Sequence, residues 1–435
     1  MRRKRVYSLV LVFALVGMFG LAVRVPRVEA SGTIYIRSDG RIDPSTANIV
    51  TTDKVTYTMT GDIFDSIVVQ RNDILVNGAF HILQGDGGGY GIRLYQRLNV
   101  TIENMTIRGF DSGIDLAVSS HNVLSDNNVT ANNNGLNLAQ SGSNILSNNN
   151  VANNSNYGIV LGYSSNCFLS GNVMEGNKYG LGIFGGGSNS YRHSIGTTNL
   201  VNGKPIYYFV DQMNIVIDPD DFPAVGFLGL VDCLNMTVHK MTLIGNGEGL
   251  LIAHTNDSRI TDNILTSNSE GIRLDGSFNN IMSNNTVSNN GYCGLGLQLS
   301  GGNTLFSNNV TDNGRGIFLW KSSDNMVYHN NFVNNDISFE VTQSPGNTWD
   351  DGNPSGGNYW SDYLTRYPNA TEVDASGIGD TSYFIATGNI DNYPLMNAYE
   401  IPELSILSVP VLFMAAILLA VYIYGRKRSM NRPQA

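Results

Sequence analysis

The chain has 435 residues, 14% of them charged and 42% hydrophobic, with 48 glycines and only 3 cysteines. Ordinary soluble proteins are about 25% charged, so the polarity here is carried by Asn, Ser and Thr. Residues 31–424 hold 16 basic and 35 acidic side chains, a net charge of −19 that repels a phosphate backbone and excludes a nucleic-acid partner, and Cys167, Cys233 and Cys293 are too few and too scattered for a disulfide scaffold.

Arg2-Arg3-Lys4-Arg5, the apolar run Val6 to Val23 and the small-residue site at Val28-Glu29-Ala30 read as a secretory signal over 1–30; an uncleaved signal anchor is the rival reading. Residues 31–66 are expected to form an N-terminal cap.

From 67 to 339 the chain repeats. Gly followed by apolar-x-apolar stands at 91, 113, 135, 158 and 180, and again at 226, 249, 271, 294 and 316, in steps of 22 or 23. A second column places Asn at 104, 127, 149, 172, 263, 285, 308 and 330. Alternation within short runs predicts strands, and Gly, Asn and Ser between them predict turns. A 22-residue period with no helical half then builds a right-handed parallel β-helix of about 12 coils stacked about 4.8 Å apart. Like charges one coil apart repel, whereas stacked Asn amides bond to each other, which accounts for the low charge. The step from Gly180 to Gly226 is two periods with Gly203 midway, so 202–221 reads as one more coil.

Residues 340–400, where the period stops and Tyr, Trp, Pro and Asp gather, are expected to cap the far end. Ile406 to Tyr424 carries no charge and is long enough to cross a bilayer, and Arg426-Lys427-Arg428 follow it, which predicts a transmembrane helix over 401–425 and a cytoplasmic tail over 426–435. The body then stands outside the cell, anchored to the membrane by a single pass. Ile401-Pro402-Glu403 resembles the sorting tails of archaeal surface proteins, with Leu404 in place of their Phe.

Within the repeat, the residue before each Gly and the x residue point away from the core. On adjacent coils this gathers Glu248, Glu270, Arg273 and Asp275, with His254 nearby, and carboxylates about 5 Å apart suit retaining glycoside hydrolysis. Tyr157 over Tyr179, or Phe318 beside Trp320, can stack on sugar rings as a glycan-binding surface. Asp374, Ser376 and Asp380 resemble half of a calcium loop, which Asp350, Asp351 and Asp362 would complete; the alternative is a polar turn. Cys233, Met236, His239 and Met241 are soft donors for copper, but Met236 and His239 fall on opposite faces of one strand. Nine Asn-x-Ser/Thr sequons occur; Asn128, Asn153, Asn256, Asn309 and Asn369 are the glycosylation candidates, and Asn104 is placed in the ladder column.

Val201-Asn202-Gly203-Lys204-Pro205-Ile206-Tyr207-Tyr208, Gly357-Asn358-Tyr359-Trp360-Ser361-Asp362-Tyr363, Gly377-Ile378-Gly379-Asp380-Thr381 and Asp391-Asn392-Tyr393-Pro394-Leu395, together with the Asn/Gly coils, resemble the NosD-type periplasmic copper-binding β-helix proteins, also described as carbohydrate-binding and sugar-hydrolase repeats. The resemblance spans nearly all of 33–396. It implies a surface or periplasmic protein, with copper delivery to nitrous oxide reductase for the founding member. The expected function is a membrane-anchored surface protein that binds glycans or cell-surface proteins, or is structural; the alternatives are a polysaccharide-acting hydrolase or lyase and a copper-accessory protein.

Overall fold

The computed structural model describes residues 32–400; the expected signal, transmembrane helix and basic tail lie outside them. The described chain is a right-handed β-solenoid of about 13 turns. Its helical content is one 3-10 turn at Ser188–Tyr191 and one α-helical turn at Tyr363–Arg366. None of the described helices is long and apolar enough to cross a membrane.

Each coil has three strands, as in Ser112–Ala117, Val123–Ser125 and Asn128–Thr130. Ile114, Leu116, Leu124 and Val129 point inward and are fully buried. At the corners a residue with positive φ turns the chain and the next residue points its side chain inward: Asp126 (φ 54°) precedes Asn127, and Asn148 (φ 54°) precedes Asn149. The buried amides form ladders. Asn127 donates to Asn149 at 3.1 Å, Asn149 to Asn172 at 2.9 Å and Asn172 to Asn199 at 2.8 Å. A second ladder runs through Asn263, Asn285, Asn308, Asn330 and Asn358. Asn104 is not a rung. Met105 fills that slot, so the sequon asparagine sits one residue earlier, half-buried at the corner with φ 56°.

The solenoid starts earlier than the period predicts. Ile34–Ile36 already pairs in parallel with Ile67–Val69, and the first end is closed by the antiparallel strands Ile42–Asp43 and Ile49–Val50. The last coil strand is Ile337–Thr342, beyond which an aromatic cap covers the core: Phe332, Trp360 and Tyr383 stack at 4.5 and 4.6 Å. Asp391 is buried in this cap, accepting from Asn358 N–H and Trp360 Nε1, and burial pushes its carboxyl up to about 7.

The principal departure lies in 200–210, which is a hairpin and not a coil. Leu200–Val201 continues the first half in parallel with Val173–Glu175, then pairs antiparallel with Lys204–Val210, and Phe227–Val231 and all later coils run parallel to that reversed strand. Reversing strand direction alone would invert the hand of the coil. The hand is kept because the core changes sides of the sheet. Leu228, Leu230, Leu250 and Ile252 belong to a second core, while Ile206, Phe227, Val231, Leu251 and Ala253 on the opposite face of the same strands close the end of the first core. The molecule is thus two solenoid arms sharing one 13-stranded sheet. The register also corrects the glycine column: Leu228 pairs with Leu250, which puts Phe227, not Gly226, level with Gly249.

Candidate binding cleft at the joint between the arms

Tyr179–Phe184 is the last strand of the first arm's eight-stranded sheet. No further coil stacks on it; the second arm closes its edge. Gly180 N–H donates to Gly245 O at 2.7 Å, Gly247 N–H to Leu181 O at 2.8 Å and Ile183 N–H to Glu248 Oε2 at 3.1 Å. The approach needs glycine, since a Cβ on Gly247 would stand 2.6 Å from the Cα of Gly182. The loop after this strand carries Tyr191 against the outer face of the second arm's sheet, where its hydroxyl donates to Asp275 Oδ2 at 2.6 Å.

Glu248, Glu270, Arg273 and Asp275 therefore face the first arm, not solvent. Arg273 donates from Nη1 to Glu270 Oε1 at 2.9 Å and from Nη2 to Gln298 Oε1 at 3.2 Å and Asp275 Oδ2 at 3.4 Å, and lies 5.7 Å from the Phe184 ring. Glu248 is fully buried, with Oε1 unpartnered. Burial pushes its carboxyl up to about 8, against the pull of Arg273 and reinforced by Glu270. Burial thus favours its neutral form, and Arg273 pairs instead with Glu270 and Asp275.

Beside this network opens a cleft of about 540 Å³ lined by Tyr163 and Phe184 of the first arm and by Glu270, Arg273, Tyr292, Gln298, Phe318 and Trp320 of the second. Of the residues expected from the sequence, Glu270, Arg273, Phe318 and Trp320 meet in the cleft. Glu248 and Asp275 do not reach it: they lie beneath, fully buried, so the expected carboxylate pair does not flank a ligand. Tyr157 and Tyr179 do not form an open platform. Their rings pack 5.1 Å apart in the joint, Tyr179 is only 6% exposed, and burial pushes the Tyr157 hydroxyl far above its ordinary range. Tyr163 and Phe184 were not foreseen, because they reach the second arm only when the arms fold together; Gln298, in register between Asp275 and Trp320, and Tyr292, beside Phe318, lie on the second arm itself and were not singled out. Tyr292 and Phe318 pack edge to face at 6.0 Å, and Arg315 stands 4.5 Å over the Tyr292 ring.

In the cap, Asp380 accepts from the Thr371 amide and hydroxyl and from the Thr381 hydroxyl, and Ser376 Oγ donates to Val373 O. Asp350, Asp351 and Asp362 are held by Asn392, Ser355 and Tyr383 respectively, so the oxygens expected to gather with Asp374 around calcium do not converge. Of the sequons, Asn153 and Asn369 are exposed; Asn128, Asn256 and Asn309 are half-buried.

Residues 226–365 match the family described as periplasmic copper-binding protein (NosD), and residues 57–199 match the right handed beta helix region. The chain is a NosD-type right-handed β-helix protein. The two matches fall on the second and the first arm. No curated protein matches the chain significantly. Among solved structures it is similar to the A-module of the mannuronan C-5 epimerase AlgE6 of Azotobacter vinelandii (13% identity, TM-score 0.30, 67% of this chain and 87% of that one). It is also similar to the Dettilon tailspike protein gp208 (12%, 0.26, 72% and 61%) and to an alginate lyase from Paenibacillus sp. str. FPU-7 (13%, 0.23, 73% and 97%). TM-scores this low carry nothing about ligand or chemistry.

The copper in the family's description does not fit the residues present. Among the described residues no three His, Cys, Asp or Glu side chains converge as a metal site. The three cysteines are free and buried. Cys233, Met236 and Met241 lie in the second core, while His239 faces outward to Asp262 at 3.2 Å and Thr261 at 3.1 Å.

Proposed function

We propose that this NosD-type protein is a saccharide-binding protein displayed outside the cell membrane, with the cleft between its arms as the binding site. The observation that carries the reading is the lining of that cleft. Phe184, Tyr292, Phe318 and Trp320 supply ring faces for pyranose C–H groups, and Arg273, Gln298 and Glu270 supply fixed donors and acceptors for hydroxyls. Arg273 is held by three partners before any sugar arrives, so little side-chain freedom is lost on binding. External display is supported by the signal-like residues 1–30 and by the apolar run with its basic tail at 406–428.

Binding is favoured over hydrolysis by the carboxylates. Glycoside cleavage needs two of them flanking the scissile bond. Among the cleft residues Glu270 is the one carboxylate, already engaged by Arg273, and its neighbour Glu248 is sealed beneath it.

The test is calorimetric titration of cello-, manno- and chito-oligosaccharides into the full chain and into Trp320→Ala. At least one sugar is expected to bind, about tenfold more weakly in the variant, with the melting temperature unchanged because Trp320 is only partly buried. Binding with equal affinity to both proteins overturns the reading, as does release of reducing ends that is abolished in Glu270→Gln.

A further inference from the structure

A second groove lies at the opposite end of the first arm, on the outer face of Ile34–Ile36, Ile67–Val69 and Tyr90–Tyr95. Tyr35, Val68 and Arg93 are aligned across these three strands and floor a groove of about 610 Å³, with Gln70, Tyr95 and Arg97 on its walls. This end of an acidic body is close to neutral: residues 37–108 hold seven of the sixteen Lys and Arg of residues 31–424 against eight Asp and Glu, and no Lys or Arg falls between 109 and 177.

Two guanidinium groups here, those of Arg97 and Arg71, are positioned by backbone carbonyls and not by carboxylates. Arg97 donates from Nε to Tyr95 O at 2.9 Å and from Nη1 to Gln70 O at 3.0 Å, and Arg71 donates from Nη1 to Ser38 O at 3.0 Å. Neither forms an ion pair with a carboxylate among the described residues. Arg93 stands 4.6 Å from the Tyr90 ring and 6.0 Å from the Tyr95 ring. Its Nε is buried without a hydrogen-bond partner, with Asp115 at 3.7 Å as the nearest carboxylate. The Nε of Arg71 is likewise buried and unpartnered. Tyr95 is 53% exposed beside them.

We infer that this groove binds an anionic sugar, with the carboxylate or sulfate taken by Arg93 and Arg97 and a pyranose face laid on Tyr95. The chemistry follows from the pairing of groups. A planar guanidinium fork with free donors recognises an oxyanion in two-point geometry, and an adjacent exposed ring gives the apolar face of a sugar a surface that a bare anion does not use. This site is separate from the cleft and stands or falls independently of it.

The experiment titrates hexagalacturonate, a heparin-derived hexasaccharide and a neutral galacto-oligosaccharide of equal length into the full chain and three variants. At least one anionic sugar is expected to bind, about tenfold more tightly than the neutral one, and which of the two binds identifies the anion. That affinity falls about tenfold in Arg97→Gln and also in Tyr95→Ala, whose exposed ring can be removed without unfolding a coil, and is unchanged in Trp320→Ala. Equal affinity for neutral and anionic chains overturns the inference, as does no binding of either anionic sugar. So does wild-type affinity in both groove variants, or loss of anionic-sugar binding in Trp320→Ala, which would place the sugar in the cleft.

Discussion

Asn285 shows how single residues hold the coils. Its Nδ2 donates to Ile260 O at 2.8 Å and to Asn308 Oδ1 at 2.9 Å, and its Oδ1 accepts from the amide and side chain of Asn263. Asn285→Ala strands the buried Ile260 O and Asn263 N–H of the preceding coil and is expected to cost about 2–4 kcal/mol in denaturant unfolding, whereas Asn309→Ala, at a half-buried position with no side-chain hydrogen bond, should cost less than about 0.5 kcal/mol. Glu248 gives a pH signature. Its folded carboxyl titrates near 8, above its ordinary value of 4.5, so the folded state holds the extra proton between those values. Its contribution therefore falls as pH rises from about 4.5 through 8. Unfolding midpoints at pH 5 and pH 8 should show this loss, and Glu248→Gln should remove much of it and leave the variant more stable than the parent at pH 8. Asp391, near 7, acts in the same direction over a lower window. Sequence periodicity correctly turned Glu248 and Glu270 away from their own core. It could not show that another part of the chain lies on top of them, because alternation reports which side of a strand a residue takes and not what faces that side.

At the scale of elements, the hairpin at 200–205 decides the molecule. The step from Gly180 to Gly226 measures two coil lengths, but a period counts residues per turn and is blind to strand direction, so a reversal of the same length passes for a coil. A trace was nonetheless present. The x residue is Arg, Asp, Asn or Gly in most coils but Leu228 and Leu251 in the coils of Gly226 and Gly249, and Tyr207 to Val210 and Phe227 to Val231 are almost unbroken apolar runs, the pattern of strands buried on both faces. Leu251→Ala is accordingly expected to destabilise by about 2–4 kcal/mol, although periodicity alone places that side chain outside. The same change at Val160, the matching half-buried position of the first arm, should cost less than about 1 kcal/mol.

For the whole molecule, the solenoid and its period were legible because each coil repeats one solution, whereas the cleft arises once, where two arms meet, and leaves no repeat to read. The strands Lys204–Val210, Phe227–Val231 and Glu248–Ala253 serve both cores, so hydrogen exchange should be slowest there and faster towards both ends. The claim that the joint holds a sugar can be read from one side chain. The chain has three tryptophans; Trp349 and Trp360 are sealed in the cap, and Trp320 lines the cleft. Acrylamide quenching of the native protein therefore reports on Trp320. With a bound oligosaccharide from the neutral panel, quenching is predicted to fall towards the level of Trp320→Phe. A saturating oligosaccharide that leaves Trp320 as quenchable as in the free protein would contradict the placement of the site.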